Sequence, residues 1–114
     1  MWTIYHNPRC SKSRQTLQLL QDNGVEPEVV LYLEAPLSAA TLAGLLGKLG
    51  MGARDLLRTG EDAYKELQLK NTDLSDTQLI EAMVQHPKLI QRPIVVRDDR
   101  AVLGRPPENV LELL

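Results

Sequence analysis

Two short apolar runs stand on either side of one helix-length amphipathic stretch, and that order leaves few ways to fold the first third of the chain. Trp2 to Tyr5 is too short for a helix and reads as a strand. Ser11 to Asp22 has helical spacing, with Leu17 and Leu20 on one face, and Asn23-Gly24 supplies a left-handed stop. Glu28 to Leu33 is a nearly continuous apolar run, the pattern of a strand buried on both faces. Two neighbouring strands joined by a single helix run parallel, through a right-handed crossover.

The remainder extends this frame. Ser38 caps an Ala- and Leu-rich helix that ends at Gly50. From Gly52 to Pro87 the pattern is of short helices broken by turns. Leu56-Leu57-Arg58 closes one, Ala63 to Leu67 is another, and Ser75-Asp76-Thr77-Gln78 is a capping box opening a helix to about His86. Pro93 to Arg97 is a strand of β-branched residues. Asp98-Asp99-Arg100 turns it into a second, Ala101 to Leu103, making a hairpin. Pro106-Pro107 opens a last helix, Glu108 to Leu114. The expected fold is α/β with a mixed four-stranded sheet. Its order, β-α-β, helical insertion, β-hairpin and terminal helix, is that of a thioredoxin-like fold. At 114 residues the chain reads as a single domain, 1–114. Phe is absent, so Leu must fill most of the core.

Composition excludes several functions. The start Met1-Trp2-Thr3-Ile4-Tyr5 is no secretory signal, and no stretch is long and apolar enough to span a membrane. An acidic pI, near 5.6, argues against nucleic acid as the main partner. A single cysteine rules out an internal disulfide and suggests a reducing, cytoplasmic setting.

That cysteine, Cys10, falls where the first strand gives way to the first helix. Unpaired N–H groups and the helix dipole favour negative charge there, and the thiolate is the reactive form. No Asp or Glu occurs in the first 21 residues, while Arg9, Lys12 and Arg14 are cationic. A lone cysteine is more often a small buried hydrophobe, but polar and charged neighbours favour a reactive thiol here. Should it be oxidised or modified, no second thiol in the chain can resolve it. The resolving thiol must come from outside, from a small molecule such as glutathione or from a partner protein.

Three arginines stand at element ends: Arg58 before Thr59-Gly60, Arg92 before Pro93, and Arg105 before Pro106-Pro107. The planar guanidinium fork suits tetrahedral oxyanions, although charged residues in such places are commonly just solvated. His6, four residues before Cys10, has two readings: a positive charge that favours the thiolate, or a structural group holding the loop. Ser11 and Ser13 are either helix caps or lining for an anion site. Two histidines and one cysteine make no metal site.

The runs His6-Asn7-Pro8-Arg9-Cys10, Ser13-Arg14, Leu31-Tyr32-Leu33-Glu34, Leu56-Leu57-Arg58, Gln85 to Val96 and Gly104-Arg105-Pro106 together resemble the glutaredoxin- and glutathione-coupled arsenate reductases. The resemblance implies that Cys10 attacks arsenate or a similar oxyanion, and that Arg58, Arg92 and Arg105 hold it. It further implies that Ser13 lines the anion loop, that His6 supports thiolate formation, and that Pro93 is a cis proline facing the thiol. Glutathione would be the co-substrate, glutaredoxin would clear the mixed disulfide, and no cofactor would be bound. The loop after Cys10 departs from the pattern: it is Ser11-Lys12, where the best-characterised members have Gly-Thr. Two other readings stay open. One is a glutathione-linked reductase of another substrate. The other is a non-catalytic module related to regulators that bind RNA polymerase, although Ser13 stands where those carry a second cysteine.

Overall fold

The computed structural model describes all residues, Met1–Leu114. The chain packs as two compact units. The first joins Met1–Ala35 to Arg92–Leu114, and the second is Pro36–Gln91.

The first unit holds a four-stranded mixed sheet in the order β2-β1-β3-β4. β1 (Trp2–Tyr5) pairs in parallel with β2 (Glu28–Val30) and antiparallel with β3 (Ile94–Arg97), which pairs antiparallel with β4 (Arg100–Leu103). The expected parallel pair and closing hairpin are both present, and Asp98 turns the hairpin with φ of 56°. α1 (Ser11–Asp22) and a terminal 3-10 helix (Pro107–Leu113) pack on each other. Ile4, Leu20, Val95, Val110 and Leu113 form the fully buried cluster there, flanked by Trp2, Leu17 and Val102. Leu20 sits on the face that the spacing of α1 picked out. Gly24, with φ of 79°, ends α1 as the stop signal required.

Two expectations for this unit change. β2 stops at Val30 rather than Leu33, because the N–H groups of Glu34 and Ala35 both turn back to the Leu31 carbonyl at 3.0 Å. β2 is also the sheet's edge, with Val29 44% exposed, so its apolar run is not buried on both faces. The last helix is a 3-10 helix beginning at Pro107 rather than an α-helix beginning at Glu108.

The second unit is helical: α2 (Ala39–Leu49), α3 (Ala53–Leu56), α4 (Asp62–Glu66), α5 (Asp76–Gln85) and a 3-10 turn, Pro87–Leu89. The caps are where the residues placed them. Ser38 Oγ accepts the Thr41 N–H, Gly50 is left-handed, and Ser75 with Gln78 closes a reciprocal capping box. α5 packs against α2 and α3, and Leu42, Leu45, Leu56, Leu79 and Met83 of these helices are buried. Arg58 does not end a helix. α3 stops at Leu56, and Leu57 forms a β-bridge with Ile90. Arg58 N–H bonds the Leu89 carbonyl at 2.7 Å and Gln91 N–H bonds Leu56 at 2.9 Å.

Candidate functional site

Cys10 is the N-cap residue of α1, extended at φ −94° and ψ 123°. The turn that delivers it is closed by its own N–H to the Asn7 carbonyl (3.0 Å) and by Arg9 N–H to Asn7 Oδ1 (3.0 Å). The His6 N–H bonds the Val30 carbonyl at 2.9 Å, so the parallel strand pair anchors the start of the loop. Cys10 is 8% exposed. Burial pushes its pKa up, but four influences outweigh burial and hold it below the ordinary thiol range: the Ser13 N–H, the Arg92 charge, the Lys12 N–H and a hydrogen bond from the Arg92 side chain. The helix start therefore acts as expected, through two amides that face the sulfur. The cation that acts on the thiol is Arg92, brought from the mouth of β3, rather than the chain neighbours Arg9, Lys12 and Arg14. Arg14 Nη1 instead holds the Pro8 carbonyl at 2.8 Å.

Arg92 keeps Nε and Nη1 buried with no hydrogen-bond partner in the protein. A buried donor in that state carries a desolvation cost that an acceptor would relieve. The bond to Pro93 is cis, as the resemblance implied. Arg105–Pro106, which no sequence signal marked, is cis as well. Arg105 is exposed and reaches back along the same loop pair, with Nη1 3.4 Å from the Arg92 carbonyl. The first unit thus brings Cys10, Arg92 and Arg105 into one neighbourhood. Arg58 belongs to the second unit, where its Nη1 is paired with Glu61 at 2.8 Å.

His6 is buried, and its Nδ1 shares a 2.6 Å hydrogen bond with Ser13 Oγ. The same oxygen accepts the Asn7 N–H at 3.0 Å. Burial, and after it the Arg14 charge, lower the His6 pKa, so the ring is neutral near pH 7. Through Ser13 Oγ the ring is tied to the loop amide of Asn7. Ser13 is fully buried, with its hydroxyl on His6 and Asn7 and its amide on the thiol.

Two further residues escaped the sequence reading. Thr16 is fully buried, and its Oγ1 lies 2.8 Å from the Lys12 carbonyl and 3.2 Å from the Gly104 carbonyl. A Cβ on Gly104 would lie 2.5 Å from Thr16 Oγ1 and 2.8 Å from Pro93 Cγ. Gly104 N–H also bonds the Pro93 carbonyl at 2.9 Å. Glycine therefore lets the β4 end press against both α1 and the Pro93 loop. No local pattern reveals this, because the partners are distant in sequence. No group of His, Cys, Asp and Glu is placed to hold a metal ion, and no helix is long and apolar enough to cross a membrane.

The chain is similar to known proteins along nearly its whole length. The ArsC family model matches residues 5–113. The chain is 64% identical to the Escherichia coli K12 protein YfgD, named as uncharacterized, over 97% of this chain and 94% of that one. It is 49% identical to an arsenate reductase of Haemophilus influenzae, over 97% of each. A solved structure titled arsenate reductase from Vibrio cholerae superposes with a TM-score of 0.97 at 52% identity, covering 99% of this chain and 97% of that one. Its mixed sheet and helices are those of the thioredoxin-like arsenate reductases, and the chain belongs to the ArsC family.

Proposed function

We propose that the protein reduces arsenate to arsenite through a covalent adduct on Cys10. The observation that carries this reading is the Arg92 guanidinium, with two buried unpartnered donors beside a thiol of lowered pKa. Such a pair offers a nucleophile and a fixed fork for a tetrahedral oxyanion. The Cys10 thiolate displaces one oxygen of arsenate, which leaves as water once protonated, and an S–As bond forms. A glutathione thiolate then attacks the Cys10 sulfur. The S–As bond breaks with its electron pair going to arsenic, which departs as arsenite, and a Cys10–glutathione disulfide remains. Glutaredoxin reduces that disulfide and restores the thiol. Arg92 and Arg105 hold the oxyanion, the Ser13 amide faces the sulfur, and His6 positions Ser13. A part for Arg58 in holding the oxyanion rests on the family resemblance. External resolution follows from the chain's having one cysteine.

The test is NADPH oxidation with glutathione, glutathione reductase and glutaredoxin, with and without arsenate. Arsenate-dependent turnover that is lost in Cys10→Ser supports the proposal. Turnover only with a small disulfide makes the protein a glutathione-linked reductase of another substrate, and silence with both makes it a binding module. Alkylation of Cys10 against pH should show a midpoint below the ordinary thiol value of ~8.5. A midpoint at or above that value would remove the activated nucleophile from the mechanism.

A further inference from the structure

The cations of the Cys10 loop are not what lowers the thiol pKa, and Arg9 and Lys12 have no structural task either. Arg9 is held through its backbone, to Asn7 Oδ1. Lys12 is held through its amide on the sulfur and its carbonyl on Thr16. Both side chains are exposed, and neither forms a hydrogen bond or an ion pair; the protein's two ion pairs are Met1–Asp98 and Arg58–Glu61. The first turn of α1 holds no acid, and none occurs in the first 21 residues, so nothing on this segment offsets the two charges. Arg14 differs, being tied to Pro8.

We propose that Arg9 and Lys12 form a cationic rim that selects a carboxylate-bearing thiol or disulfide as the external partner of Cys10. This deepens the reading above and rests on its single-thiol chemistry. Cys10 is 8% exposed, so a molecule bonded to its sulfur lies against the same short turn that carries both cations. Carboxylates on that molecule meet two unpaired positive charges, and a neutral thiol of similar reactivity meets none. Arg92 sets the reactivity of the sulfur, while Arg9 and Lys12 set which partner reaches it.

The test uses two disulfides and no arsenate. Cys10 thiolate attacks one sulfur of the disulfide, a mixed disulfide forms, and the other half leaves as a thiolate. The rate is read with glutathione disulfide, which carries several carboxylates, and with neutral hydroxyethyl disulfide. In Arg9→Ser/Lys12→Ser the glutathione disulfide rate should fall about tenfold, the scale of two screened charge pairs. The hydroxyethyl disulfide rate should stay within about twofold. Raising the salt concentration should shrink the wild-type preference. Arg100→Ser, exposed at the hairpin end of β4, should alter neither rate. Equal losses with both disulfides, no loss with either, or the same loss in Arg100→Ser would each overturn the proposal. Arsenate turnover measured in parallel separates the two ideas. A wild type that ignores arsenate yet prefers glutathione disulfide refutes the proposed reaction and upholds the rim.

Discussion

In the first unit the Arg92 guanidinium keeps Nε and Nη1 buried without a protein partner, whereas in the second unit Arg58 gives Nη1 to Glu61 at 2.8 Å. The side chains are the same and the consequences differ. Arg92 has already lost part of its hydration, and only an arriving acceptor compensates that loss. Such a group is held ready for an anion. Arg58 has its compensation in place, so any other anion must displace a carboxylate or share the fork with it. Two arginines of equal formal charge therefore differ in how much affinity they can contribute.

That contrast can be broken most directly at the two arginines. Arg92→Lys keeps the charge and loses the planar fork, and should lower arsenate-dependent kcat/KM by about 100-fold, the scale of losing a preorganised donor. Arg58→Lys should cost less than about tenfold, since its fork already has a partner. Equal losses would erase the distinction. The same steady-state assays decide it.

The readiness of Arg92 also needs its loop held in place, and Gly104 is where that support is tightest. Gly104→Ala should destabilise the fold by ~1–3 kcal/mol through overpacking against Thr16 and Pro93. Urea unfolding would measure it, and an unchanged midpoint would show that the contact can yield.

A smaller effect is expected from freeing Arg58. Glu61→Gln removes its partner at a half-buried site and should tighten arsenate binding by about two- to fivefold, the range of a partly exposed ion pair. Titration of the Cys10→Ser variant with arsenate would report it. Unchanged affinity would mean that Arg58 takes no part in anion binding.

The smallest effect concerns His6. Its folded pKa is lowered, so the unfolded chain binds a proton near pH ~6.5 that the folded chain refuses. The stability linked to this group is full above that pH and is lost as pH falls toward the lower folded value. His6→Asn should flatten the dependence of the urea midpoint between pH 7.5 and 5.5 on the acid side. An unchanged slope would assign it to other groups.

What could be read from the residues was mostly local. The Ser38 and Ser75 caps, the Gly24 and Gly50 stops and the position of Cys10 at a helix start each depend on a few adjacent residues, and each is where it was expected. The apolar run points to a strand longer than β2 is, because such a run does not reveal that its strand is an edge. The cause of the lowered thiol pKa was legible only in part. The helix amides follow from position, but Arg92 acts across some eighty residues of chain, while of the nearby cations Arg14 is tied to Pro8 and the side-chain charges of Arg9 and Lys12 do not act on the thiol. Thr16 and Gly104 gave no signal, since a buried hydroxyl and a missing Cβ gain meaning only from what the fold places against them.

The Gly104 contact bears on how such a chain can change over generations. Any side chain at position 104, next to Arg105, would require the Thr16 or Pro93 atoms to shift. Arg9 and Lys12 are under no such restraint, because their side chains hold nothing in place. Variation can therefore accumulate around the thiol and alter which partners it meets, while the clamp behind it stays the same.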